Sequence, residues 1–239
     1  WINPNTRYND AITRFAEAIL DPVRSSPFLE NFVPFQARVA HYGAFNSLAQ
    51  TLVKITAPGV PDFYQGSELW DLNLVDPDNR RPVDWQLRQN MLAELTRALD
   101  TAPDRAACAL ELLERKDDGR VKLYLIHQAL ACRRAHAPLF REGKYRPLET
   151  EGPLAEHVLA FARLRKDAVA LTIVPRLLAR RGSEEPPIGG GYWGDQTRLL
   201  VPPEARQRLL NPLTGERLTV QAGALPLSTV FANFPVAML

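Results

Sequence analysis

The chain has 239 residues, 46% hydrophobic and 23% charged, and its 29 basic against 27 acidic side chains leave a formal net charge of +2. That length buries a real core in one or two domains, and so balanced a charge excludes bulk electrostatic attraction to nucleic acid or to a membrane surface. Two cysteines, Cys108 and Cys132, exclude a disulfide scaffold and fit a reduced, cytoplasmic compartment. No apolar run approaches the length of a transmembrane helix. The opening Trp1-Ile-Asn-Pro-Asn5 is neither a signal peptide nor an initiator methionine, so the chain is expected to begin inside a longer protein.

Ile12, Phe15, Ala16, Ile19 and Leu20 repeat at helical spacing, and Pro22 closes that run. Ser26-Pro27 reads as an N-cap followed by proline at the first helical position. A long helical segment follows toward Thr56, with Phe45, Leu48, Ala49, Leu52 and Val53 on one face. Pro34 and Gly43 are expected to divide it into shorter helices, and Pro58-Gly59 stops it.

Val60 to Gln65 is short, apolar and aromatic, and bounded by turn residues, which predicts a buried strand. A helix, a buried strand and then a long polar loop is the pattern of one turn of an α/β barrel, with the loop on the catalytic face. Residues 66–84 would be that loop. Asp84 is placed to cap the next helix, whose stripe is Leu87, Met91, Leu95 and Leu99. Pro103 opens a helix toward Arg115, Asp117-Asp118-Gly119 makes a turn, and Val121 to Ala137 is helical until Pro138.

The pattern changes near Lys144. His157–Arg163 and Ala168–Val174 read as a hairpin about the charged turn Leu164-Arg165-Lys166-Asp167. Further short strands are predicted at Arg198–Val201, Gln207–Leu210, Glu216–Val220 and Leu225–Leu227, with a tight turn at Asn211-Pro-Leu-Thr-Gly215. Gly182 to Gly194 is expected to be an exposed loop. The fold class is therefore α/β plus all-β. Residues 1–145 form the last part of a barrel with a helical extension, and 146–239 form a small antiparallel β-sandwich.

The chemistry concentrates in residues 57–84. Asp62, Tyr64, Gln65 and Glu68 lie on or just after the expected strand end, and Tyr64 and Trp70 offer flat faces to sugar rings. Arg80 and Arg81 suit bidentate capture of a carboxylate, with Asp78 and Asp84 nearby. A loop stitched by its own salt bridges would carry the same residues, Asp78 and Arg81 above all. Asp76-Pro-Asp78-Asn79 fails as an EF-hand, because Arg81 stands at the glycine position and Leu87 at the bidentate glutamate. His41, His127, His136 and His157 share no metal-ligand spacing. Gly189-Gly190-Gly191 lacks the lysine and hydroxyl of a phosphate loop.

Gly59-Val-Pro-Asp-Phe-Tyr-Gln-Gly-Ser-Glu68 resembles the eighth-strand motif of the α-amylase superfamily of glycoside hydrolases. Its continuation, Leu-Trp-Asp-Leu-Asn-Leu-Val-Asp-Pro-Asp-Asn-Arg-Arg-Pro-Val-Asp-Trp85, narrows the resemblance to the maltooligosyl trehalose synthase family. Trp1-Ile-Asn-Pro-Asn5, Asn46-Ser-Leu-Ala-Gln-Thr-Leu52, Asp118-Gly-Arg-Val-Lys-Leu-Tyr124, Phe140-Arg-Glu-Gly-Lys-Tyr-Arg-Pro-Leu148, Val174-Pro-Arg176 and Phe234-Pro-Val-Ala-Met-Leu239 extend it along the chain.

The resemblance implies a maltooligosaccharide or α-glucan substrate. It also implies conversion of a reducing-end α-1,4 bond into an α,α-1,1 bond with retained configuration, and no cofactor or metal. The family's nucleophile and acid/base motifs are absent between Trp1 and Leu239. No catalytic residue is carried over, the isolated chain is expected to be inactive, and its expected partner is the N-terminal remainder of the enzyme. Asp62, Tyr64, Gln65, Glu68, Trp70, Asp78, Arg80, Arg81 and Asp84 remain candidates for shaping the reducing-end side of a cleft. A non-catalytic glucan-binding module, or another glycosidase of the superfamily, are the alternatives.

Overall fold

A computed structural model describes residues 3–205 and 207–239. Trp1 and Ile2, which open the Trp-Ile-Asn-Pro-Asn resemblance, lie outside the described residues. The chain divides into two compact units, Trp1–Gly43 and Ala44–Leu239.

In the first unit, α1 (Thr6–Leu20) is capped by Asn5, whose side chain accepts from the Tyr8 amide at 3.0 Å. Its helical stripe is real, yet Tyr8, Ile12, Phe15 and Leu20 all remain exposed. Asp21 Oδ1 accepts from the amides of Val23 and Arg24 and turns the chain toward α2 (Ser26–Thr56).

The breaks expected at Pro34 and Gly43 do not occur, and helical residues are continuous from Ser26 to Thr56. Pro34 deletes one helical donor in a stretch exposed from Asn31 to Ala40, where water can satisfy the orphaned group. A Cβ on Gly43 would meet nothing within 4 Å, so no close approach requires this glycine and it only lowers helix propensity.

In the second unit, the C-terminal half of α2 buries Phe45, Leu48, Ala49, Leu52 and Ile55. The strand expected at Val60–Gln65 does not form, and Val60 is 93% exposed. A buried strand needs ladder partners, and among the described residues this run pairs with none. α3 (Trp85–Thr101) begins as predicted at Asp84, whose Oδ1 accepts from the Leu87 amide at 2.8 Å. Of its expected stripe only Leu95 is buried. α4 (Arg105–Glu114) is capped by Asp104, one residue beyond the expected Pro103.

A 3-10 turn at Lys116–Asp118 and Gly119, at φ +80°, lead into α5 (Arg120–Ala135), which buries seven residues from Val121 to Ala129. Pro138 opens α6 (Ala137–Glu142) as well as ending α5.

The remaining strands pair antiparallel throughout. They are β1 (Lys144–Pro147), β2 (Thr150–Glu151), β3 (Val158–Arg165), β4 (Ala168–Pro175), β5 (Arg198–Leu200), β6 (Arg208–Leu210), β7 (Arg217–Thr219), β8 (Ala224–Pro226) and β9 (Ala237–Met238). They divide into sheets ordered β1-β3-β4-β9, β2-β5-β8 and β6-β7. The β3–β4 hairpin closes at Arg165↔Ala168, inside the predicted charged turn. The chain end is drawn in, with Phe234, Val236 and Ala237 buried and β9 paired to β4.

α7 (Leu178–Arg181), α8 (Gly189–Trp193) and α9 (Leu227–Val230) complete the elements. The exposed loop expected at Gly182–Gly194 is contradicted at its second half. There α8 buries Tyr192 and Trp193, and the Trp193 indole donates to the Pro187 carbonyl at 2.9 Å and packs 4.9 Å from the Phe231 ring. Burial of a Tyr-Trp pair outweighs the flexibility that three glycines confer.

Helices and sheets of this unit share one core. The buried Tyr124 of α5 donates its hydroxyl to the Leu213 carbonyl and meets Phe234 edge-on at 5.9 Å.

Candidate functional site

The candidate segment starts where α2 ends. The last carbonyls of a helix lack intrahelical donors and carry its negative dipole end. Two arginines from distant elements serve them. Arg133 donates to the Ile55 and Gly59 carbonyls, both at 2.6 Å. Arg163, 2% exposed, donates to Thr56 at 3.1 Å and also to Phe140 and Gly143. Burial lowers the pKa of both guanidinium groups, and charge repulsion from neighbouring arginines adds to it.

Asp62, Tyr64 and Gln65 are exposed. Phe63, between them, lies under the Lys54 ammonium at 3.7 Å from its centroid. The chain then tucks inward at Gly66 and Leu69. Arg88 of α3 holds this turn, with Nε on Glu68 Oε2 at 3.0 Å and Nη2 on the Gly66 carbonyl at 2.9 Å. The Trp70 indole donates to the Lys116 carbonyl at 2.6 Å, and Lys122 Nζ donates to the Leu69 carbonyl at 3.1 Å. Burial holds the Lys122 ammonium below its ordinary range, and the nearby Lys54 charge adds to that.

Residues 71–84 are largely exposed. Arg80 grips Asp76 with two hydrogen bonds, Arg81 pairs with Asp78, and Asp78 Oδ2 accepts from the Leu74 amide at 2.8 Å. The arginines therefore hold carboxylates of their own loop, as the salt-bridged reading requires, while their side chains stay 67% and 73% exposed.

The structure thus gathers Glu68 and Trp70 into one anchored turn and Asp78, Arg80 and Arg81 into a second. It uses Asp84 as a helix cap and leaves Asp62, Tyr64 and Gln65 exposed. Arg88, Lys122, Arg133 and Arg163 were not nominated by the sequence. The available signal was a basic residue inside an apolar run, as in Val158-Leu-Ala-Phe-Ala-Arg163-Leu.

The groove between α3 and α4, about 200 Å³, is lined by Leu95, Leu99, Cys108, Leu112 and Arg115 among others, and by none of the candidates. Among the described residues no group of three or more His, Cys, Asp or Glu is placed to hold a metal ion, and no helix is long and apolar enough to cross a membrane.

No family model matches the chain. Two proteins of Mycobacterium tuberculosis, from strains CDC 1551 / Oshkosh and H37Rv, carry the provisional name maltooligosyl trehalose synthase. Each is 32% identical to this chain over 241 aligned residues, covering 100% of it. The maltooligosyltrehalose synthase structure from Arthrobacter ramosus matches 100% of this chain with a TM-score of 0.73 at 31% identity. Along its whole length the chain is similar to maltooligosyl trehalose synthases. It spans about a quarter of the curated relatives it matches, 26% of each, and 27% of the Arthrobacter chain. The matched part is a C-terminal portion of those enzymes. A second maltooligosyl trehalose synthase structure matches with a TM-score of 0.65 at 25% identity, again over 100% of this chain.

Proposed function

We propose that this chain is the C-terminal part of an enzyme that converts the reducing-end α-1,4 bond of a maltooligosaccharide into an α,α-1,1 bond, and that residues 57–84 form one wall of its cleft. The observation that carries this reading is the match over the entire chain to maltooligosyl trehalose synthases. The internal anchoring of Glu68 and Trp70 supports it, because a sugar-binding wall must be rigid before the ligand arrives.

The attacking carboxylate and the acid/base belong to the portion of the relatives that this chain does not cover. Asp62, Tyr64, Gln65, Glu68, Trp70, Asp78, Arg80, Arg81 and Asp84 contribute by shaping the reducing-end side. There a freed glucose must turn over and re-attack while water is held out. In the complete enzyme Val60–Gln65 joins the preceding barrel strands, residues 1–145 close the barrel and extend it, and 146–239 are the terminal β domain. The exposed apolar residues Val60, Leu72, Leu74 and Val75 support this, since such surface is ordinarily covered by a partner. The enzyme works in the cytoplasm, which suits the unpaired Cys108 and Cys132.

Maltopentaose incubated with the complete protein is expected to yield a non-reducing product, and the isolated chain is expected to yield none. Turnover by the isolated chain would overturn this division of labour. The half-exposed Tyr64 and Trp85 favour, as second reading, a glucan-binding module. Maltooligosaccharide binding by the isolated chain, seen in tryptophan fluorescence, would select it.

A further inference from the structure

We infer that the segment Lys116–Lys122 is the mould that fixes Leu69 and Trp70 in place, and through them the adjoining Glu68, with Gly119 and Lys122 acting as positioning residues for sugar binding. The inference rests on the proposed role of residues 57–84. Three contacts from this one segment converge on two consecutive residues. The Lys116 carbonyl accepts from the Trp70 indole at 2.6 Å. Lys122 Nζ donates to the Leu69 carbonyl at 3.1 Å and lies 5.8 Å from the Trp70 ring centroid. Gly119, at φ +80°, lets backbone approach backbone: a Cβ there would stand 3.1 Å from Leu69 Cβ and 3.2 Å from the Trp70 nitrogen.

Two of these features run against what the fold alone would choose. Lys122 is 8% exposed on the core face of α5, where a leucine or methionine would avoid desolvating a cation. Its direct acceptor is a backbone carbonyl of the turn. A left-handed glycine in contact with another segment is likewise a constraint on position. From α3, Arg88 holds Gly66 and Glu68, so the turn is gripped by a second element as well. Arg120, paired with Asp118 at 2.7 Å, stiffens the mould itself. Residues that spend stability to place Leu69 and Trp70 are expected where that placement matters to a ligand.

The test uses the complete enzyme, with Lys122→Met, Lys122→Arg and Gly119→Ala beside Trp70→Ala and Glu68→Gln. The readouts are kcat, KM for maltopentaose, and the ratio of non-reducing product to released glucose. K122M and G119A are expected to shift the product ratio or KM on the order of tenfold, in the direction set by W70A or E68Q. K122R is expected to recover part of the loss.

If W70A and E68Q shift these quantities while folded K122M and G119A leave them at the wild-type values, the mould is overturned and the loop's role stands. If W70A and E68Q themselves change nothing, the loop reading falls and takes the mould with it. Should K122M fail to fold, G119A and K122R carry the same comparison.

Discussion

Replacing Arg163 by methionine keeps the stem that crosses the core and removes every donor. Three carbonyls then lose their partner: Thr56 at 3.1 Å, Phe140 at 2.9 Å and Gly143 at 2.8 Å. An acceptor left unsatisfied in a buried site costs about 1–3 kcal/mol. The Thr56 and Phe140 contacts are buried and the Gly143 contact only part-buried, so the two buried acceptors would lose roughly 2–6 kcal/mol, and relief from burying an arginine with no carboxylate among these acceptors returns part of that. A net loss of roughly 2–4 kcal/mol follows, or roughly 4–16 °C in melting temperature for a unit of this size. Thermal unfolding of the complete protein, followed by circular dichroism, measures it. Because Thr56 is the last residue of α2, protease cleavage near Pro58–Pro61 is expected to accelerate in the same variant. R163M melting within a degree of wild type, with unchanged cleavage, would refute the reasoning.

Tyr124 gives a pH signature. Burial pushes its phenol above the ordinary value of 10.0, so the unfolded chain releases that proton first. Its stabilising contribution is complete below about pH 10 and is lost as pH rises beyond that. Urea midpoints measured from neutral to alkaline pH are expected to fall more steeply for wild type than for Tyr124→Phe, and parallel curves would contradict this. Two glycines are expected to move stability in opposite directions. Gly43→Ala, exposed in α2 with open space at its Cβ, should stabilise by roughly 0.5–1 kcal/mol. Gly152→Ala, at φ +103° with the added Cβ driven into the Gln196 carbonyl oxygen, should destabilise by about 2 kcal/mol or more. Melting temperatures decide both. Arg80→Ala should alter melting by less than about 1 kcal/mol, because its pair with Asp76 is exposed, while shifting the ratio of non-reducing product to glucose.

Features set by neighbouring residues were legible in the sequence. Asp84 caps α3, Asn211–Gly215 turns between β6 and β7, and Lys166-Asp167, the second half of the expected turn, closes β3 onto β4. Features that depend on distant partners were not. Val60–Gln65 has the composition of a strand, but pairing is supplied by other strands. Gly189–Trp193 reads as part of an exposed loop because three glycines precede a Tyr-Trp pair whose burial against Phe231 no local rule foretells.

The same limit holds in the candidate site. Glu68 and Trp70 stand out by type and by the motif around them. Their anchors Arg88 and Lys122 lie on other helices, and Arg163 was hidden in what reads as an ordinary β-strand. Arg80 and Arg81 hold carboxylates of their own loop, Asp76 and Asp78, which sequence alone does not distinguish from carboxylates elsewhere.

The most direct measurement is hydrogen exchange of the complete protein with and without a saturating maltooligosaccharide. Glucose units seated against this wall predict added protection in peptides covering residues 62–81, with the β6–β7 hairpin unchanged. Saturation of the protein with sugar while 62–81 exchange at their unliganded rate would contradict the account.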